Sequence, residues 1–415
     1  MANALPREAA VAVESTFGVG PVWTGAGLAI KVIEPEAELV REQLDNENIT
    51  PRRLAVLDQI LGLKSTSTVN LAIYGTASGV NAADQQPAVA TVASHILHSG
   101  LGGRTLGFRA ALAGTGTVTI PNVVTDPGYV NGMWVFAFDD SEGTGGWHRI
   151  EDASATPALT ISPDLPLGPD AADIFYAAIM IYPHELAMDH TSAGYTTLSW
   201  LFQGEHVDDV FELLGCKPTI GIEGLAAGEL LKFSCAHNVL DWPDVQPAKQ
   251  VLAGTPSGIA PLTVGSGVQT TIKLADFGTP LVDVDCRGTT DIDPGVTWGP
   301  VSGACGTEGV KGWVSEITAA TITIRLAFAD PSWDAKYEAG TKQHLLISIG
   351  DKPTNAVGIY FGNLEFAARP KRINEAGVTT TELMFRSHED PADTTGLTGD
   401  DLALRRAPFV LLFAA

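Results

Sequence analysis

The segment TVNLAIY, residues 68–74, alternates apolar side chains with polar or small ones along its length. A second segment, TITIRLAF at residues 321–328, shows the same alternation far along the chain. A period of two puts successive side chains on opposite faces, which predicts half-buried β-strands. Five more segments have this pattern: 117–120, 133–138, 195–202, 344–349 and 380–385. Together these segments predict a mainly β protein.

Three segments predict helices. Residues 87–99 place apolar side chains at i, i+3, i+4 and i+7, with a proline at the first position and a glycine after the last. Residues 206–214 repeat that spacing and are also followed by glycine. A shorter helix is expected at 331–339, with Asp330 as its cap.

The composition agrees with this fold class and excludes several functions. The chain has 415 residues, of which 44 are Gly and 25 are Pro, and this density of turn formers is typical of many short strands. With 45% hydrophobic and 18% charged residues, an intrinsically disordered chain is excluded. Because 25 Lys and Arg face 48 Asp and Glu, the net charge is −23, which argues against binding nucleic acid by neutralising phosphates.

Export, membrane insertion and disulfides are not expected. Residues 1–10 lack the apolar core of a secretory signal. The longest apolar run, 407–415, has nine residues. A membrane helix needs roughly 20. The cysteines are widely spaced without a CxxC pair, so free thiols are expected at Cys216, Cys235, Cys286 and Cys305.

A weak internal repeat suggests a domain duplication. Segment 68–74 aligns with 323–329, and a strand leads into a helix in both places. The alternative is chance similarity between two alternating strands. The predicted organisation is a first domain at 1–102 and 183–245, an inserted small β-barrel module at 103–182, a linker or long loop at 246–270, and a second domain at 271–415.

One group of residues suggests a metal site and does not meet its spacing. His184 and Glu185 precede Asp189 and His190, whereas a zinc-binding helix needs two histidines at i and i+4. Here the second histidine is at i+6, on the far side of a helix. A polar connection between strands is the favoured interpretation.

Two acidic segments suggest calcium loops and also lack the required pattern. Residues 139–143, DDSEG, and the series Asp283, Asp285, Asp291 and Asp293 lack the ordered ligand series, the Gly at position six and the Glu at position twelve. Asp283 and Asp285 alternate with valines, as on the solvent face of a strand.

Other catalytic motifs are absent from the sequence. It contains no GxxxxGK[ST] phosphate loop and no GxSxG elbow, and the glycines of 100–107 lack the strand–turn–helix context of a dinucleotide site. We therefore predict no catalytic, cofactor-binding or metal-ligating residue, and a protein that is not an enzyme.

Several stretches together resemble the siphophage major tail tube proteins. The opening segment 11–18, VAVESTFG, is similar to that family's E-x-x-aromatic-G pattern. It is followed by ELVRE at 38–42 and by GLK at 62–64, ahead of the strand at 68–74. Later, LGCKP at 214–218 and AGE at 227–229 resemble the family's LxGC…GE progression. The small β insertion and the last hairpin, from 359–367 into 379–385 through 375–377, are similar to the family as well.

The resemblance implies two tail-tube-like β-sandwich or barrel domains, each with a packed helix, besides the inserted all-β module. It implies a structural virion protein of a long-tailed bacteriophage, made in the host cytoplasm, whose stacked rings surround a channel for the genome. It also implies partners: further copies of the chain, a tape measure protein, tail terminator and distal tail proteins, and DNA that passes without specific binding. Neither a cofactor nor a membrane is implied.

Two domains per chain change the expected stoichiometry. A ring of six tube domains would close with three chains, as a homotrimer of pseudo-sixfold appearance. The alternative is a hexamer in which one half of each chain lies on the outside of the ring.

An acidic inner wall is expected, with candidates among Glu34, Glu36, Glu38, Glu42, Asp45 and Glu47.

Two other functions remain open. One is another virion ring component of related fold, such as a tail terminator or baseplate protein. The other is a carbohydrate-binding adhesin, which would expose clustered aromatic side chains, whereas the eight tryptophans are dispersed along this chain.

Overall fold

The structure is a computed structural model. It describes residues 8–23, 28–30, 32–37, 41–45, 59–64, 68–74, 92–106, 110–111, 119–120, 131–139, 143–152, 159–163, 174–176, 178–184, 196–206, 209–223, 225–243, 246–252, 262–265, 270–302, 310–352, 356–375, 377–390 and 396–414.

Within these residues the protein is mainly β, as the alternating segments predict, and every strand pairing is antiparallel. The first part of the chain contains β1 (Glu8–Val13), β2 (Leu28–Ile30), β3 (Val32–Ala37), β4 (Arg41–Asp45), β5 (Gln59–Lys64), β6 (Thr68–Tyr74), β7 (Gly102–Leu106), β8 (Ala110–Ala111), β9 (Thr119–Ile120), β10 (Trp134–Asp139), β11 (Thr144–Asp152), β12 (Leu159–Ser162), β13 (Ile174–Tyr176), β14 (Ala178–Pro183), β15 (Leu198–Gln203), β16 (Val210–Ile222), β17 (Leu225–Ala226) and β18 (Lys232–Asn238). The second part contains β19 (Thr270–Asp276), β20 (Val282–Asp283), β21 (Cys286–Asp293), β22 (Val296–Ser302), β23 (Val310–Ile317), β24 (Ala320–Leu326), β25 (Gln343–Ile349), β26 (Val357–Phe366), β27 (Lys371–Glu375), β28 (Val378–His388) and β29 (Phe409–Ala414).

The described residues form three helices, α1 (Val92–Leu101), α2 (Ser332–Glu338) and α3 (Gly399–Arg406). The first overlaps the segment predicted at 87–99, whose first five residues lie outside the described ones, and it continues through Gly100, the predicted stop, to Leu101. The second lies within the predicted 331–339 but begins one residue later, with Pro331 and not Asp330 at the N-cap position; the Asp330 carboxylate accepts a hydrogen bond of 2.9 Å from the Ser332 amide. The third was not predicted, although acidic residues in its first turn and arginines in its last suit the helix dipole.

The helix predicted at 206–214 is wrong, because β16 begins at Val210. Phe211 pairs with Phe202 and Val210 with Gln203 across a hairpin with β15. The rings of Phe202 and Phe211 stack with their centroids 4.7 Å apart. Valine and phenylalanine favour strands wherever a neighbouring strand offers packing, so the tertiary pairing overrides the helical spacing.

The C-terminal strand β29 joins the two parts of the chain. It pairs with β14 on one side, where Ile179 faces Phe413, and with β26 on the other, where Ile359 faces Leu411. The resulting strand order is β7–β14–β29–β26–β25–β19–β20, and all six residues of β29 are buried. The apolar run near the end of the sequence therefore forms an interior strand of its own chain's sheet.

A separate six-stranded sheet, in the order β8–β13–β10–β11–β12–β9, occupies the region between residues 110 and 176. Its inner face packs on the β29 sheet, with Trp134 and Trp147 beside Tyr360 and Leu412 in one buried cluster. The rings of Trp134 and Tyr360 have centroids 4.7 Å apart. The core of this sheet is thus continuous with that of the strands around it.

A buried ion pair fastens the six-stranded sheet to the distal part of the chain. Arg149 on β11 lies 2.8 Å from the Asp390 carboxylate, and donates to the Tyr360 hydroxyl at 2.8 Å. It also donates to the Arg405 carbonyl at 3.1 Å. Burial alone would lower the pKa of Arg149, but Tyr360, Asp390 and Glu151 raise it above its usual value. The acidic sequence of segment 387–404, which contains no Lys or Arg, predicts that it is exposed, whereas Asp390 is only 1% exposed.

A second polar cluster fastens the N-terminal strand. The half-buried Glu14 carboxylate accepts hydrogen bonds from the amides of Gly18 at 2.9 Å and Gly215 at 2.7 Å. The hydroxyls of Thr197 and Ser199 donate to it at 2.6 and 2.7 Å. Burial raises the pKa of Glu14, and these hydrogen bonds oppose that rise. Two separate motifs of the sequence, E-x-x-F-G and LGC, therefore meet at one carboxylate.

We expect Asp390→Asn to lower the free energy of unfolding by about 3–5 kcal/mol, because it leaves the buried Arg149 charge without its counter-ion. Denaturant unfolding followed by circular dichroism measures the change. The matched control is Glu389→Gln, next to it and exposed. That control should stay within about 0.5 kcal/mol of the parent chain. Equal stability of the two variants would contradict the assigned role.

Stability should fall on acidification from pH 6.5 toward pH 4. Burial lowers the pKa of His148 from 6.5 to about 4, and that of His98 to about 3, so the unfolded chain binds these protons first. His148 is neutral when folded, with Nδ1 2.6 Å from the Pro163 carbonyl. His148→Gln should reduce the pH dependence of the unfolding free energy by about 3 kcal/mol over this range. An unchanged pH profile would contradict it.

Candidate assembly surface

Two four-stranded sheets have the same internal order. The first runs β3–β6–β18–β16 and the second runs β21–β24–β28–β27. Along the chain, a hairpin (β4–β5 or β22–β23) follows the first strand of each sheet, and a helix (α1 or α2) follows the second. The two segments aligned in the sequence, β6 and β24, thus occupy equivalent positions.

The two sheets join edge to edge within the chain. Ile222 at the end of β16 pairs with Ile292 of β21, and the register continues from β17 with Leu225 opposite Thr289 and Ala226 opposite Gly288. Strand direction alternates across this junction, as it does within each sheet. The result is one continuous eight-stranded antiparallel surface.

One face of this surface is buried and the other is exposed to solvent. The inward side chains belong to the main hydrophobic core, including Ile220, Phe233, Ile322, Ile324, Leu383 and Phe385. The outward side chains of the described strands are mainly small or polar, including Thr219, Ser234, Ala236, Thr290 and Thr321, and Met384 is an exposed apolar one among them. At the junction Thr219, Ser234, Ala236 and Thr321 line an open cavity of ≈ 740 Å³ together with Glu223, Asp291 and Asp293.

The solvent face carries both signs of charge. Acidic residues on the described strands and their ends are Glu223, Asp291, Asp293, Glu375 and Glu382, and basic ones are Lys232, Arg325, Lys371 and Arg386. Of the acidic residues predicted to line a channel, Glu34 and Glu36 lie on β3, Glu42 and Asp45 lie on β4 of a separate two-stranded sheet, and Glu38 and Glu47 lie outside the described residues.

Each end of the eight-stranded surface is an outer strand. Among the described strands, β3 pairs with β6 alone and β27 with β28 alone. β3 contains Pro35 at a register shift, which suits an edge because proline cannot donate to a neighbour. β27, with the sequence KRINE, was missed from the sequence: the predicted hairpin joined 359–367 directly to 379–385, and the structure inserts this strand between them. The Glu375–Val378 pair marks that turn.

The β22–β23 hairpin leaves the second sheet and is anchored on the first part of the chain. Trp313 Nε1 donates to the Gly215 carbonyl at 2.7 Å, and Trp298 Nε1 donates to the Gly100 carbonyl at 3.0 Å. The ammonium of Lys217 lies 4.2 Å from the centre of the Trp298 ring. Burial lowers the pKa of Lys217 to about 7. The hairpin is thereby held against α1 and β16.

The residues considered for chemistry do not converge in the described part of the chain. His184 Nε2 lies 3.1 Å from Asp400, while Glu185, Asp189 and His190 lie outside the described residues. No three His, Cys, Asp or Glu side chains of the described ranges could together hold a metal ion. Cys216, Cys235 and Cys286 are free thiols, as predicted; Cys305 lies outside. No described helix is long and apolar enough to cross a membrane.

Comparison with known proteins adds no relative. No family model matches the chain, and no curated protein matches it.

Substitutions at Asp291 test the backbone conformation at the junction of the two sheets. This residue has φ of +52° beside a register shift between Thr290 and Asp293, in a region that aspartate tolerates and β-branched residues do not. We expect Asp291→Val to lower the unfolding free energy by about 1–2 kcal/mol. Asp291→Gly should be within about 1 kcal/mol of the parent or more stable. Thermal unfolding compares the two, and equal losses would contradict the strained turn.

Proposed function

We propose that this chain is a structural subunit that assembles with its own copies into rings around a channel, and that the rings stack into the tail tube of a long-tailed bacteriophage. The observation that carries the proposal is the eight-stranded surface, which has one solvated face and an unpaired strand at each end among the described residues. An unpaired edge strand is a template for pairing with another chain.

Closure by neighbouring copies would turn this surface into the inner wall of a barrel. Each chain contributes eight strands of alternating direction, an even number, so a copy added at the edge continues the antiparallel pattern. Three chains would supply six four-stranded sheets, because each chain has two. We therefore propose a homotrimer with pseudo-sixfold appearance.

The net charge of the chain supports a conduit for DNA and weighs against a surface that binds nucleic acid. With a net charge of −23, the chain lacks the surplus of Lys and Arg that would hold DNA phosphates. The small and polar side chains of the solvent face offer no stacking platform for bases. DNA would pass such a wall without specific binding. The tape measure, terminator and distal tail partners follow from the family resemblance and stay part of the proposal.

The tryptophans weigh against the adhesin alternative. Seven of the eight, all except Trp242, are buried, and Trp242 itself is half-buried. A carbohydrate site stacks sugars on exposed rings, so these rings would be of no use to it. A virion ring of related fold, such as a terminator or baseplate component, remains the second candidate; it would form one ring and not a stack.

We expect the purified protein to form rings with a central hole, and stacks of rings, in negative-stain electron microscopy. Native mass spectrometry of a single ring should give three chains, since two sheets per chain fill a sixfold ring at half the copy number. Six chains per ring would contradict the trimer. A protein that stays monomeric at every concentration would contradict the assembly function, and single rings without stacks would favour the terminator or baseplate alternative.

A further inference from the structure

The junction inside one chain is a template for a junction between chains. β16 and β27 are equivalent, since each is the outer strand of a hairpin at the end of its four-stranded sheet. β21 and β3 are also equivalent, since each begins its sheet. Within the chain, β16 already pairs with β21. We infer that β27 of one copy pairs with β3 of the next copy, an inference that rests on the proposed ring assembly.

Strand direction permits this pairing without any rearrangement. The eight strands alternate in direction from β3 to β27, so the two outer strands run opposite ways. A β27 edge placed beside a β3 edge therefore forms an antiparallel pair. The contact joins two different surfaces of the same chain, and a heterologous contact of this kind repeats around a ring until it closes.

The charges of the two outer strands favour pairing of β27 with β3 over pairing of either strand with its own copy. β27 begins with Lys371 and Arg372, whereas β3 contains Glu34 and Glu36. Opposite charges on neighbouring strands stabilise a pair, and like charges destabilise it. Pairing of β27 with β27, or of β3 with β3, is thereby disfavoured. Arg372 also reaches Asp334 of its own chain at 3.3 Å and remains largely exposed, which leaves Lys371 as the less engaged of the two cations.

The backbone of β27 presents free groups at alternate residues. Glu375 and Val378 flank a two-residue turn, so their pair exchanges hydrogen bonds, as do the pairs two residues further along each strand. The amides of Arg372 and Asn374 lie between those pairs and point away from β28. These two amides are the donors that we assign to β3 of the next copy.

The test removes those donors without removing the strand. Proline fits an outer strand and lacks the N–H, so a chain with Arg372→Pro and Asn374→Pro keeps its inward hydrogen bonds and loses the outward ones. The matched control carries Arg372→Ala and Asn374→Ala, which removes the side chains and keeps both N–H groups. Circular dichroism and thermal unfolding of each purified full-length chain establish that it is folded.

We expect the proline variant to be a folded monomer and the alanine variant to form rings, with an assembly concentration within about tenfold of the parent. Native mass spectrometry and electron microscopy measure both. Rings of parental stoichiometry from the proline variant would overturn the strand pairing while leaving the ring function intact. A parent chain that forms no rings would instead overturn the proposed function.

Exchanging the charges of β3 and β27 gives an independent test of their pairing. It decides whether the two strands pair even if the proline variant unfolds. Glu34→Lys with Glu36→Lys should abolish rings at low salt, as should Lys371→Glu with Arg372→Glu. All four changes in one chain restore opposite charges at the junction and should restore rings. Failure of the fourfold variant to recover, when each twofold variant is folded and monomeric, would overturn the inference.

Discussion

The outer strand of any β-sheet carries a row of N–H and C=O groups that need hydrogen-bond partners. The arrangement of the sheets in this chain follows from which strand supplies those partners at each edge. β29 lies between β14 and β26 and so removes one edge from each. β16 and β17 meet β21 and remove another pair. Once these pairings are made, the eight-stranded surface is left with β3 and β27 at its ends among the described strands.

Polar contacts between distant segments fix how these sheets sit on one another. The Glu14 carboxylate accepts hydrogen bonds from Gly18 in the segment after β1, from Ser199 on β15 and from Gly215 within β16. Arg149 joins the six-stranded sheet to Tyr360 and Asp390. Buried charges of this kind are costly unless every partner is present, which makes the arrangement specific as well as stable. Burial of apolar surface in the core stabilises the fold, and these few polar groups select one arrangement of the sheets around that core.

The sequence predicts the parts that depend on local pattern. Segments such as 68–74 and 344–349 are strands because alternation of apolar and polar side chains is enough to give a strand one buried and one solvent-exposed face. The helix expected at 206–214 failed because Phe211 finds Phe202 across a hairpin, a contact no local spacing reveals. Asp390 looked exposed for the same reason, since its partner Arg149 is far away in the sequence. β27 was missed because an exposed, charged edge strand has no apolar alternation to mark it.

The position of β29 has a consequence for synthesis in the cell. It is the last of the described strands to leave the ribosome, yet it occupies the middle of the sheet that joins β14 to β26. Until it emerges, both of those strands expose apolar edges, and the core they share cannot close. The fold of the described residues therefore closes only after the whole described chain has been translated.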